Sequence, residues 1–113
     1  MEEIAIAMIR KAFLMSVHSG SEEEYRNRHQ PIWPELEEVL LAHGVNTYSI
    51  FLHPPTGQLF AYVEFVDQAQ WLAVADTDVC RRWWKHMSAI MPSRQDHSPV
   101  AEPLEEVFHL KRE

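Results

Sequence analysis

Two residues suited to proton transfer, Tyr25 and His29, stand four positions apart in a segment whose pattern predicts a helix. Side chains four apart lie on one helical face, so we expect the phenol and the imidazole to be neighbours. A histidine in such a place can give or take a proton near neutral pH. The plainer interpretation, a half-buried histidine beside a core tyrosine, stays open on spacing alone.

Three further aromatic residues are candidates for a binding surface: Tyr48, Trp83 and Trp84. Neighbouring helical residues point roughly 100° apart, so one tryptophan of the pair can pack in the core while the other lines a pocket. Indole rings stack on the apolar faces of sugars, and a tyrosine in mid-strand can offer its hydroxyl to a ligand. Packing alone would also explain all three residues.

The other polar and sulfur-containing residues do not predict a metal or a nucleophile. The remaining histidines show no tight metal-ligand spacing, and the chain has neither a cysteine pair nor a His-Glu-x-x-His motif, although folding together of distant ligands stays open. Cys80 is the single cysteine, has no nucleophile signature and fits a packing role in a reducing compartment. The three glycines form no phosphate-binding loop.

Hydrophobic periodicity predicts the elements that must position these side chains. Strands are predicted at residues 8–17, 45–52, 59–66 and 104–110, with the middle two forming a hairpin. Helices are predicted from Ser21 to a break at Pro31, over residues 34–43, after a cap at Asp67, and over residues 78–91. We expect the Ser21 hydroxyl to cap the first helix, and the polar residues 93–103 to form a loop.

The resulting order is βαββαβ, which favours an α+β sandwich of the ferredoxin-like type. In this arrangement the helices cover one face of an antiparallel sheet. The other face still needs cover, and a second copy of the chain would provide it, which predicts a homodimer.

Composition restricts the class of protein. The 113 residues are 46% hydrophobic and 24% charged, which is typical of one globular domain, here residues 1–113. The net charge of −7 argues against a nucleic-acid partner, because phosphate backbones require clustered Lys and Arg. No apolar run approaches the roughly 20 residues of a membrane span, and the acidic start is unlike a secretory signal. We therefore expect a cytoplasmic protein without a membrane partner.

Longer strings of residues resemble the L-rhamnose mutarotase family. They begin with Met8-Ile-Arg-Lys-Ala-Phe, Glu24-Tyr-Arg-Asn-Arg-His, Pro31-Ile-Trp-Pro-Glu-Leu-Glu and His43-Gly, and continue with Ala75-Asp-Thr-Asp-Val-Cys-Arg-Arg-Trp-Trp-Lys, Met91-Pro-Ser, Ser98-Pro-Val and Leu104-Glu-Glu-Val-Phe. The resemblance runs from about residue 8 to residue 110. Residues 1–7 lie outside it, either as an N-terminal extension or because translation begins at Met8.

The resemblance implies an isomerase that interconverts the α and β anomers of L-rhamnose by acid–base ring opening and reclosure. It also implies a ferredoxin-like fold of the dimeric α/β barrel type, a homodimer and no cofactor. In the family pattern the histidine at the position of His29 is the proton donor. The same pattern gives substrate-binding roles to the residues that match Tyr25, Tyr48, Trp83 and Trp84.

In the mechanism that we hypothesise from this resemblance, His29 protonates the ring oxygen. The group that takes the anomeric proton, a water or a carboxylate, stays open. Two alternatives also stay open. A cofactor-free oxygenase on the same architecture would consume oxygen with an aromatic or haem-like substrate. A non-catalytic sugar-binding module would bind L-rhamnose without accelerating the exchange of its anomers.

Overall fold

The computed structural model describes residues 7–112, so the predicted extension at residues 1–7 lies, except for Ala7, outside the described residues. The described residues form four strands and four α-helices. They are β1 (Ile9–Ser16), α1 (Glu22–Arg28), α2 (Pro34–Ala42), β2 (Val45–His53), β3 (Gln58–Phe65), α3 (Gln68–Ala73), α4 (Asp78–Met87) and β4 (Glu102–Leu104), with a 3-10 turn at Val74–Asp76 between α3 and α4.

The strands form one antiparallel sheet in the order β2-β3-β1-β4. The first and third strands share the centre, with Phe13 opposite Ala61 and Met15 opposite Leu59. The predicted α+β, ferredoxin-like arrangement is confirmed: helices cover one face of an antiparallel four-stranded sheet.

The core lies between the sheet and the helices. On the sheet side it contains Met15 of β1 and Leu59 and Ala61 of β3, which alternate with outward-facing residues as a strand of period two requires. Three helices contribute buried residues to it, chiefly Tyr25 from α1, Leu36 from α2, and Trp83 and Met87 from α4, whereas α3 has no buried residue. The pocket described below opens within this layer.

The far face of the sheet carries exposed apolar side chains. Phe51 and Phe60 stand opposite each other there, with 65% and 40% of their surface exposed. The predicted strand at residues 104–110 is wrong, because β4 ends at Leu104 after pairing with Ala12 to Leu14 of β1. Residues 105–110 have no ladder partner within the described chain and stay outside the sheet.

The helix boundaries follow proline and capping chemistry with two exceptions. The predicted break at Pro31 is confirmed, since α1 ends at Arg28 and α2 begins at Pro34. The predicted cap at Asp67 is also confirmed by a 3.0 Å hydrogen bond from the Gln70 amide. The Ser21 prediction is wrong: its side chain makes no capping bond.

The last helix is also shorter than predicted. The predicted helix at residues 78–91 ends at Met87, and a turn over residues 88–90 carries the chain to Pro92. Ile90 and Met91 are nevertheless buried, so their apolar character reflects core packing rather than helix length. Helical periodicity cannot separate these two causes at an element's end.

Candidate active site

A cavity of about 980 Å³ opens between the helices and the sheet. This volume lies at the upper end of the range for small-molecule sites, roughly 300–1,000 Å³. Three helices and two strands supply most of its wall. All five residues singled out in the sequence line it, namely Tyr25, His29, Tyr48, Trp83 and Trp84.

His29 stands at the C-terminal end of α1, where the helix closes with a tighter turn. Its backbone amide bonds the carbonyl of Arg26 at 3.1 Å instead of continuing the α-helical pattern to Tyr25. The Tyr25 carbonyl is therefore free, and the imidazole Nδ1 lies 2.9 Å from it. A carbonyl can only accept, so Nδ1 carries a hydrogen and Nε2 is the nitrogen available to a ligand.

Two opposing effects act on the His29 imidazole. Burial lowers its pKa below the ordinary value, because the cationic form loses hydration, and the hydrogen bond to the Tyr25 carbonyl raises it by a smaller amount. The net shift is downward. Neutral His29 therefore prevails at pH 7, with an unprotonated Nε2.

Aromatic rings fix the orientation of His29 on two sides. The Tyr25 ring lies against it at 4.4 Å between centroids, tilted by 30°, and Trp83 meets it edge to face at 5.2 Å. Trp83 is buried, whereas Trp84 is half-buried on the next helical position, and both reach the cavity. Aromatic pairs of this geometry contribute about 0.5–1.5 kcal/mol each beyond burial of area.

Tyr48 enters from β2 and packs edge to face on Phe13 at 6.3 Å and against Trp71 at 6.0 Å. Burial raises the pKa of Tyr48, and the nearby Tyr25 and Cys80 raise it further. Burial alone raises the pKa of Tyr25. The two phenols therefore stay protonated, and both line the cavity with hydroxyl groups that can donate hydrogen bonds.

Cys80 also lines the cavity, and its thiol is buried and free. Burial raises the pKa of this thiol to about 11, although the positive charge of Arg81 opposes the shift. A thiol with that pKa is a poor nucleophile at neutral pH, which agrees with the packing role expected from the sequence.

Several residues of the site were missed in the sequence. Trp33 packs edge to face on Trp83 at 5.1 Å and thereby supports the wall behind His29. Trp71 flanks Tyr48, and a polar segment containing Arg94, Asp96 and Ser98 closes another side of the cavity. Trp33 lies between Pro31 and Pro34, and this position between two prolines is the sequence signal that could have identified it. No local pattern indicated that the polar segment lines the cavity.

Among residues 7–112, no three histidine, cysteine, aspartate or glutamate side chains converge in a metal-binding group. Within the same range, no helix combines the length and the hydrophobicity of a membrane-crossing segment.

Comparison with known proteins gives consistent matches over nearly the whole chain. A profile of the L-rhamnose mutarotase family matches residues 10–110. The L-rhamnose mutarotase of Opitutus terrae is 64% identical over 103 residues, which cover 91% of this chain and 99% of that protein. The solved structure of an L-rhamnose mutarotase from Formosa agariphila has a TM-score of 0.83 and 38% identity, and the match covers 91% of this chain and 99% of that one.

A more distant structure shares the architecture. A candidate antibiotic biosynthesis monooxygenase from Nitrosomonas europaea has a TM-score of 0.63 at 11% identity, over 95% of this chain and 97% of that one. At this identity the likeness shows the fold alone. It therefore gives no support to the oxygenase alternative.

The fold and the site together define a ferredoxin-like α+β protein with an aromatic, histidine-containing cavity for a small ligand. The family profile and the relative at 64% identity define it more closely. The chain belongs to the L-rhamnose mutarotase family and is an isomerase.

Proposed function

We propose that this cavity binds L-rhamnose and interconverts its α and β anomers, with His29 as the group that moves the proton. The observation that carries the proposal is the fixed imidazole: Nδ1 is held by the Tyr25 carbonyl at 2.9 Å, which leaves Nε2 for a ligand. This arrangement occurs in a chain that belongs to the L-rhamnose mutarotase family.

One nitrogen can serve both ends of the proton transfer. The anomeric oxygen and the ring oxygen are bonded to the same carbon, C1. Neutral Nε2 takes the proton of the anomeric hydroxyl while the carbonyl bond forms at C1. The bond from C1 to the ring oxygen breaks with its electron pair on that oxygen, which then receives the proton from Nε2. His29 thus remains the donor to the ring oxygen, as the family resemblance implies.

Reclosure follows the same path in reverse. After rotation about the C1–C2 bond, the open-chain hydroxyl attacks the other face of the carbonyl. Its proton passes to Nε2 and then to the new anomeric oxygen, so His29 ends neutral. No electron is gained or lost overall, and the proposed chemistry requires no redox cofactor.

The other four residues hold the sugar in this scheme. Trp83 and Trp84 offer indole faces and N–H groups, which suit the apolar faces and the hydroxyls of a deoxy sugar. The protonated phenols of Tyr25 and Tyr48 line the cavity and donate hydrogen bonds to sugar hydroxyls. These roles agree with a neutral substrate, since the five residues contribute no permanent charge.

The experiment that tests the proposal is proton NMR of L-rhamnose with saturation of one anomeric signal and observation of the other. The unaltered protein is expected to transfer saturation between the anomers. His29→Gln should lower kcat by about 10²–10⁴-fold, the usual contribution of a positioned acid or base, with little change in binding.

The matched control replaces the other histidine of the aromatic cluster. His86 is exposed and stacks on Trp33 at 5.3 Å, but it does not line the cavity. His86→Gln should leave the exchange rate close to that of the unaltered protein. Equal rates in His29→Gln and the unaltered protein would remove His29 from the mechanism. Binding without any acceleration would instead favour the sugar-binding module.

We also propose that the active protein is a homodimer formed through the far face of the sheet. Phe51 and Phe60 are exposed on that face, and the segment after β4 extends three more apolar side chains, Val107, Phe108 and Leu110, with 89%, 79% and 80% exposure. Apolar surface of this kind usually marks an interface. A second copy related by a twofold axis would cover both the face and the segment.

Substitutions of Phe108 test this interface, with the oligomeric state as the measured property. Phe108→Asp places a charge in the proposed contact and is expected to give a monomer in light scattering coupled to size-exclusion chromatography. Phe108→Leu keeps the apolar contact and is expected to remain a dimer. A monomer in the unaltered protein, or a dimer in the Asp variant, would reject this interface.

Residues 1–113 are further proposed to act as one domain in the cytoplasm, without a nucleic-acid partner. The relative from Opitutus terrae is matched over 99% of its length, and the net charge is −7. The free, buried thiol of Cys80 is compatible with a reducing compartment. Cell fractionation with antibody detection tests the compartment directly.

A further inference from the structure

The segment between α4 and β4 forms an ordered wall of the cavity rather than a featureless loop. A bridge joins Ser93 to Pro99, and the Arg94 amide donates to the Ser98 carbonyl at 2.8 Å. The Arg94 guanidinium also reaches the carbonyls of Pro99 and Ala101, at 3.4 and 3.5 Å. Arg94, Ser98 and the intervening Asp96 line the same cavity as His29.

The carboxylate of Asp96 is fixed within this wall. Its Oδ1 accepts from the Ser98 amide at 3.0 Å and from the Ser98 hydroxyl at 2.5 Å. Ser98 is itself buried, so the pair cannot swing freely. Asp96 is exposed, and its Oδ2 has no hydrogen bond to another residue among residues 7–112. The two bonds from Ser98 lower the pKa of Asp96, so the group stays ionised at neutral pH.

We propose that Asp96 binds a hydroxyl group of the sugar through Oδ2 and thereby sets the orientation of the ring in the cavity. This inference rests on the proposed mutarotase function. A hydroxyl donates, and an ionised carboxylate is the stronger kind of acceptor for it. The residues assigned above are all neutral, so Asp96 adds the one fixed, charged acceptor among the proposed sugar-binding groups.

Binding is a better role than proton removal for this carboxylate. A general base works best with a pKa near the working pH, whereas the bonds from Ser98 hold Asp96 in its weakly basic form. The other carboxylate of the lining, Glu37, is exposed as Asp96 is, but no fixed bond comparable to the Ser98 contacts orients it among the described residues. Asp96 is therefore the candidate with a defined direction.

The variant Asp96→Asn separates the proposed contact from the structure of the wall. Asparagine keeps an oxygen that can accept both bonds from Ser98, but it replaces Oδ2 with an NH₂ group that donates. We expect KM for L-rhamnose to rise about tenfold or more, as for loss of a hydrogen bond to a charged group. The expected kcat stays within about twofold, and Tm is expected to stay unchanged.

Two controls accompany this variant. Asp76→Asn removes the same charge from an exposed position that does not line the cavity, and it should leave KM unchanged. Glu37→Gln alters the other carboxylate of the lining and should also have little effect. A normal KM in Asp96→Asn, or a rise in Glu37→Gln alone, would overturn the inference. Absence of anomer exchange in the unaltered protein would instead overturn the proposed function.

Sugar analogues that each lack one ring hydroxyl identify the bonded group. One analogue should bind more weakly than L-rhamnose to the unaltered protein, and its disadvantage should disappear in Asp96→Asn. This cancellation is the signature of a direct contact, because a variant that only loosened the wall would weaken all analogues alike. If every analogue keeps the same relative affinity in both proteins, Asp96 does not touch a hydroxyl.

Discussion

The titration of His29 gives the sharpest prediction about the mechanism. The proposed first step requires a neutral Nε2, because this nitrogen accepts the proton of the anomeric hydroxyl. Burial lowers the pKa of His29 below 6.5, so the neutral form predominates at pH 7 and above. We expect kcat to change little over that range and to fall as the pH drops through the lowered pKa.

The size of the fall follows from the neutral fraction. One pH unit below the pKa of His29, about a tenth of the imidazoles remain neutral, so kcat falls about tenfold for each further unit. The substrate has no ionisable group in this range, so the profile reports the protein. The pH profile is measured by saturation transfer between the anomeric signals from about pH 4.5 to 8.5, a range chosen to bracket this transition. The protein-free rate is subtracted at each pH.

One other histidine near the site must be separated from His29. His86 packs near Trp83 at 5.8 Å, and burial and the nearby Arg28 cation lower its pKa, while the Glu24 carboxylate raises it by a smaller amount. His86→Gln should therefore keep the same acid limb of the profile. A rate that falls as the pH rises above 6.5 would show that cationic His29 reacts with a separate base. A flat profile would refute proton transfer by an imidazole altogether.

Two further substitutions separate binding from stability. Tyr48→Phe removes a hydroxyl that has no hydrogen bond to another described residue. KM should therefore rise while the urea midpoint stays close to that of the unaltered protein. A large loss of stability would mean that the hydroxyl stabilises the fold. Leu59→Ala leaves a cavity at a fully buried position in β3. It should lower the free energy of unfolding, measured by urea titration, by about 2–5 kcal/mol. A change under about 1 kcal/mol would contradict the close packing of Leu59.

Local sequence signals predicted an element correctly where residues close together in the chain determine its limits. Pro31 lacks an amide hydrogen, and the helix before it ends as expected. The carboxylate of Asp67 caps α3, and alternation of apolar residues located β2 and β3 to within one residue of their observed ends. In each case the deciding contact lies within a few residues along the chain.

Local sequence signals failed where a contact with a residue distant in the sequence determines the structure. Residues 105–110 have the composition of a strand, but a strand also needs a neighbour, and this chain supplies one only as far as Leu104. The same limit applies to the site. Nothing near Asp96 in the sequence indicates that it faces the cavity of His29, because that placement depends on how α4 and the following segment pack against the sheet.

The pairing of Tyr25 with His29 shows how the end of a helix can orient a functional side chain. Four-residue spacing alone places the two rings on one face, and in a continuous helix the Tyr25 carbonyl would accept from the backbone amide of His29. The tighter final turn sends that amide to Arg26 instead, at 3.1 Å. The carbonyl then accepts from Nδ1, which fixes both the ring and the position of its hydrogen. The helix end, and not the spacing by itself, leaves Nε2 as the nitrogen available to a ligand.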